Sequence, residues 1–138
     1  MTTVEMTHEG SAIHFTILGE PASKANSRQL VTIRGRPAFI KSKKARDYVK
    51  IFSNQCPTLS ELITEDVCVR IKIYYATRRP DLDESVILDC LQGKIYANDR
   101  QVKQKLIIHG LDRENPRSEI CVMPTLVEAS IERLSEYG

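Results

Sequence analysis

Five carboxylates fall between residues 81 and 99: Asp81, Asp83, Glu84, Asp89 and Asp99, with Arg78, Arg79, Lys94 and Arg100 flanking them. Acids gathered at one point repel and raise one another's pKa unless solvent or a cation neutralises them. Their oxygens are hard donors suited to magnesium, for which manganese can substitute. Such an ion lowers the pKa of a bound water, polarises a phosphodiester and stabilises the leaving oxygen. The chemistry this stretch offers is therefore metal-dependent phosphodiester hydrolysis. A purely structural reading is also open, because Asp81, Asp83 and Glu84 at the start of a helix are what capping and the helix dipole favour. Asp99 shifts the balance, since a short return from that helix can bring it back to the helix's N-terminal end. Asp81, Asp83 and Asp99 are the candidate ligands and catalytic acids. Asp89 lies about 12 Å further along a helix than Asp81, and is assigned with Glu84 to support around them.

The elements that would hold these acids follow from periodicity. Residues 66–75, D-V-C-V-R-I-K-I-Y-Y, alternate cleanly, with Val67, Val69, Ile71, Ile73 and Tyr75 on one face. Arg70 and Lys72 mark a wet or ligand-facing side. Pro80 keeps its predecessor extended, so a helix is expected from near Asp81, carrying Leu82, Val86, Cys90 and Leu91 inward and stopping at Gly93. A strand is expected from about Val102 to Ile108 and another over Glu119–Val122. Earlier, Ile13, Phe15 and Ile17 alternate in a first strand from Ala12, and R-G-R with Gly35 at its centre reads as a hairpin turn between 30–33 and 37–40. Ser42 can cap a helix with Ala45, Tyr48, Val49 and Phe52 on one stripe. Thr125 and Glu128 form a capping box for a C-terminal helix. The first eleven residues lack apolar periodicity and are expected to be flexible. The sum is a single α+β domain over 12–138: a mixed β-sheet of four or more strands, two main helices and a C-terminal helix.

Charge is distributed unevenly. The net charge is only +2, yet residues 21–50 carry nine Lys and Arg against Asp47 alone. A patch of that sign attracts polyanions, although a solvated basic face is the plainer reading of the patch by itself. Lys24 and Arg28 in the loop after the first strand, and Lys43 and Lys44 in the first turn of the capped helix, are the candidate phosphate contacts, with Arg78, Arg79 and Lys94 nearer the acids. Cations at a helix N-terminus oppose its dipole, so Lys43 and Lys44 make more sense with an anion bound.

Length and hydrophobic content of 138 residues and 41% suit one soluble domain, and no apolar run is long enough to span a bilayer. The N-terminus lacks a signal or transit pattern, so a cytoplasmic location is expected. Cys56, Cys68, Cys90 and Cys121 form no C-x-x-C pair and read as reduced core residues.

The pattern P-D-L-D, then D-C-L-Q-G, then N-D-R-Q-V resembles the RusA family of Holliday junction endodeoxyribonucleases, and G-E-P-A-S-K-A-N-S-R with S-K-K-A-R-D-Y is similar to that family's basic N-terminal half. The resemblance spans roughly residues 13–124 and implies a small α+β homodimer that nicks opposed strands of a branched, four-way DNA junction with magnesium, and no small-molecule cofactor. Its catalytic carboxylates carry over to Asp81, Asp83 and Asp99. Four departures stand out. Asn98-Asp99 replaces an acidic pair, Glu84 replaces an asparagine, Ile87 stands where many members have lysine, and the helix before Asp89 is two residues shorter. Lys94, Lys72 or a lysine of the first helix is left to supply a cation near the scissile phosphate. The rival reading is a junction-binding protein of the same fold with weak or no chemistry.

Overall fold

The computed structural model describes residues 7–9, 12–78 and 80–125. Two sheets form. The larger has five strands: β1 (Thr7–Glu9), β2 (Ala12–Leu18), β5 (Val67–Tyr75), β6 (Val102–Leu111) and β7 (Arg117–Pro124), in the order β1-β2-β7-β5-β6. The smaller is the hairpin of β3 (Arg28–Ile33) and β4 (Arg36–Lys41). Helices α1 (Lys43–Gln55) and α2 (Ser85–Leu91) complete the described elements with two short 3-10 turns at Lys24–Asn26 and Asp99–Gln101.

Strand β5 is the spine. It pairs antiparallel with β7 and parallel with β6, and a parallel partner obliges the chain to return through a crossover. That crossover contains α2 and every acid singled out above. The alternating residues of β5 behave as expected: Val67, Val69, Ile71, Ile73 and Tyr75 are all fully buried. They meet Phe15 and Ile17 of β2, Ile120 and Val122 of β7, and the inward stripes of both helices in one core. Burying each large aliphatic side chain contributes roughly 1.5–3 kcal/mol, so this layer dominates the stability of the domain. Arg70 and Lys72 lie on the opposite face, where a cleft of about 490 Å³ is lined also by His14, Thr16, Ile108 and Glu119.

Three expectations are corrected. The second helix starts at Ser85 rather than near Asp81, because Asp83 spends its carboxylate on the backbone two residues ahead, which holds the chain in a turn for one step longer. Thr7–Glu9 forms an edge strand on β2, where three polar residues in a row gave no apolar period. Strands β6 and β7 run past their apolar centres, to Leu111 and over Arg117–Pro124, since the ladder with β5 continues along the whole strand. The expected C-terminal helix lies outside the described residues. None of the four cysteines is in a disulfide; Cys56 and Cys121 are buried, and Cys121 Sγ lies 3.7 Å from His14 Nε2.

The R-G-R hairpin forms as read. Arg34 and Gly35 both have positive φ, 51° and 77°, as a two-residue turn matched to strand twist requires. Ser42 caps α1, accepting from Ala45 N at 3.2 Å while donating to the Asn26 carbonyl at 2.6 Å. Its own N–H donates to the Ser27 carbonyl at 2.9 Å. One residue thereby fastens the foot of the hairpin to the start of α1.

Candidate active site

After Tyr75 the chain leaves the sheet at the carboxyl end of β5, the place where crossover units hold their ligands. The loop that follows is tied down at several points. The Asp81 carbonyl accepts from Lys24 N at 3.3 Å and from the Tyr75 hydroxyl at 3.4 Å. Ala76 N donates to Glu20 Oε2 at 2.8 Å. Burial pushes the Tyr75 phenol up to about 12, so it keeps its proton at neutral pH. The Asp81 side chain itself is exposed.

Asp83 is the most organised of the acids. Its Oδ1 accepts from Ser85 Oγ at 2.6 Å and from Ser85 N at 3.0 Å. Partial burial opposes ionisation, but these bonds, the Ser27 hydroxyl and the charge of Arg28 outweigh it and hold the carboxyl below the usual carboxylate range. Asp83 is therefore a carboxylate at neutral pH. Glu84 receives Lys105 Nζ at 2.8 Å. Lys105 comes from β6, across the parallel ladder, and half of its side chain is exposed, so the pair contributes at most about 1 kcal/mol.

Asp99 is positioned by a different device. Asn98 Oδ1 accepts from Arg100 N at 2.9 Å and Gln101 Oε1 accepts from Asn98 N at 2.7 Å, a reciprocal capping box. Gln101, nearly buried, also donates to the carbonyls of Ile63 and Glu65, both at 2.7 Å. Gln92 Oε1 accepts from Asp99 N at 2.9 Å, and the Tyr96 hydroxyl donates to Leu88 O at 2.8 Å and to Asp99 Oδ1 at 3.5 Å. Asp99 is thus tied through Tyr96 and Gln92 to the second half of α2. Asp89 reaches Lys41 of the hairpin at 3.9 Å. Ile87 is fully buried in the core.

The donor set is chemically suited to a hard cation: carboxylate oxygens alone, one of them firmly ionised, on a partly exposed loop. Among the described residues no three His, Cys, Asp or Glu side chains stand together in a ligating arrangement. Glu84 is engaged by Lys105 and Asp83 by Ser85, whereas Asp81 and Asp99 are exposed.

The chain from residue 19 to residue 123, out of 138, matches the family model of endodeoxyribonuclease RusA. It belongs to the RusA family. No curated protein matches the chain. RusA enzymes are endodeoxyribonucleases that hydrolyse DNA phosphodiester bonds and resolve Holliday junctions, and resolvases of this family generally depend on a divalent metal. The matched span contains the hairpin, α1, the acidic loop and the Asn98–Gln101 clamp. Among the described residues no helix is long and apolar enough to cross a membrane.

The cations flagged in the sequence fall into four groups. Lys24 and Arg28 border the RusA acidic loop, Lys24 through its backbone and Arg28 through its charge on Asp83. Lys43 bonds Asp47 at 2.7 Å and Lys44 lies 3.8 Å from Glu20, so nearby acids offset their poor helix position. Glu20, both lysines and Asp47 line one open cleft of about 520 Å³. Lys94 donates to the Ser53 carbonyl of α1 at 3.4 Å, which takes it away from the acids. Arg78 is exposed after β5, and Arg79 lies outside the described residues. Sequence reasoning missed Lys105 and Glu20. Nothing local marks Lys105, because only the parallel register of β5 and β6 brings it to Glu84.

Proposed function

We propose that this RusA-family enzyme resolves four-way DNA junctions by magnesium-dependent paired hydrolysis as a homodimer, in recombination and repair or in phage DNA processing. Asp81, Asp83 and Asp99 are its metal-holding and catalytic carboxylates. The observation that carries this reading is the ionised Asp83, flanked by Arg28 and by the Lys105–Glu84 pair on a loop within the family-matched span. A divalent cation held there supplies Lewis-acid activation of water and neutralises charge developing on the phosphodiester. Asp83 is held in place by Ser85 through Oδ1, so little rotamer ordering is needed for it to act as a ligand. Glu84 keeps Lys105 beside the acids, and that ammonium is the cation we assign to the scissile phosphate in place of the lysine absent at Ile87. Arg28, Lys24 and the Lys43–Lys44 cleft bind flanking phosphates, with Arg78, Arg79 and Lys94 as further basic candidates, so affinity falls steeply with salt. Glu84 and Asp89 support the ligands through Lys105 and Lys41. Two-fold symmetry matches two equivalent strands that must both be cut.

The test uses an end-labelled four-way junction and a linear duplex, with magnesium or chelator, and Asp83→Asn, Asp99→Asn and Lys105→Ala variants. Symmetric nicks confined to the junction, absent under chelator and reduced at least about a hundred-fold in both acid variants, are expected, as for removal of a group that stabilises transition-state charge. Tight junction binding without nicks under any divalent metal would replace this reading by the junction-binding one. That rival draws on the carboxylates not being gathered into a three-ligand set among the described residues.

A further inference from the structure

The β3–β4 hairpin has no core of its own. None of its residues belongs to the buried cluster, and the cross-strand pair Leu30 and Phe39 is 62% and 73% exposed. An isolated two-stranded ribbon is marginal in water, and an aromatic and a leucine paired on its open face call for a partner. The hairpin's charge indicates which kind: Arg28, Arg34, Arg36 and Lys41 are its charged residues, and it carries no Asp or Glu. A ribbon with apolar residues at mid-length and cations at foot and tip is complementary to stacked bases bordered by phosphates. Its placement agrees. Arg28 acts on Asp83, Lys41 reaches Asp89, and Ser27 at its foot contacts Asp83. The Leu30/Phe39 pair lies two residues out from the Arg28/Lys41 pair on the same face, about 7 Å further along the ribbon.

We infer that the hairpin is a branch-point wedge: Phe39, backed by Leu30, stacks against bases unstacked at the centre of the junction while the four cations grip the phosphates on either side. This rests on the junction reading above and adds the element that selects branched over linear DNA. Bases at a branch are already partly unstacked, so insertion costs least there, whereas a linear duplex must first be opened. Phe39 is a specificity residue, and Leu30 positions it.

The experiment is a fluorescence titration of a four-way junction carrying 2-aminopurine beside the branch, with chelator present to prevent cutting, using wild type, Phe39→Ala and Phe39→Tyr. Wild type should raise the 2-aminopurine signal, Phe39→Ala should abolish the rise and weaken junction binding about ten-fold, the effect of losing one stacked base, and Phe39→Tyr should restore both. Sedimentation and thermal melting of the same proteins complete the set, with assembly mass and midpoint expected unchanged because Phe39 is exposed and outside the buried cluster. A wild type that nicks the junction, with Phe39→Ala binding as tightly and no change at 2-aminopurine, overturns the wedge and leaves the proposed function standing. A fall in assembly mass or midpoint for Phe39→Ala assigns the face to a second copy of the chain and equally overturns it. Failure of wild type to bind the junction at all removes the proposed function and the wedge together, a result read from wild type alone.

Discussion

The five-stranded sheet and the hairpin are built from similar strands yet obey different rules. In β5, every second residue vanishes into a core shared with both helices. In β3 and β4, alternation is weak and residues on both faces stay exposed. The sheet is held by what it buries. The hairpin is held by its turn and by its foot, where Ser27, Ser42 and Asn26 exchange hydrogen bonds. The acids sit between these two regimes, on a loop that leaves the rigid sheet and touches the hairpin's foot.

Three substitutions sharpen or break this contrast. Ile71→Ala, at a fully buried site in the middle of β5, should cost about 3 kcal/mol through lost transfer energy and a cavity, measured as a drop in the urea midpoint. A cost under about 1 kcal/mol would mean that the core around β5 is not the main source of stability. Ser42→Ala should cost about 1 kcal/mol as a lost helix cap, and should speed amide hydrogen exchange in both the first turn of α1 and the foot of the hairpin. Exchange changing in α1 alone would show that the hairpin is anchored elsewhere. Gly35→Ala meets no atom within 4 Å, so its cost is the strain of a side chain at φ 77°, about 1 kcal/mol. That cost should appear as faster exchange near the turn with almost no shift of the global midpoint. A midpoint shift as large as that of Ile71→Ala would join the hairpin to the cooperative unit and erase the distinction.

How much was legible in the sequence follows from the same physics. Strands β2 and β5 and helix α1 were readable because a buried face imposes a period on side chains. The hairpin was readable from R-G-R because a tight turn demands a residue tolerant of positive φ. The start of α2 was misread because acids before a helix can cap it or delay it, and Asp83 does the latter through Ser85. Strand β1 left no trace because Thr7, His8 and Glu9 carry no apolar alternation. At the candidate site, the spacing of the acids marks them out as candidates, and Asn98-x-x-Gln101 carries a capping box that fixes the turn on which Asp99 stands. Lys105 could not be found, since its meeting with Glu84 depends on the register of a parallel pair separated by the whole crossover.

That crossover has an inheritance consequence. Parallel pairing fixes Tyr75 at one end and Val102 at the other, and all five candidate acids lie on the stretch between them. Loop closure depends only weakly on length, so the exposed turns of this stretch can change in length while the ladder at both ends is unaffected. The sheet is a fixed socket and the candidate acids ride on a cartridge seated in it, whose exposed positions, Asp81 and Asp99 among them, can change while the buried face of α2 holds it in place.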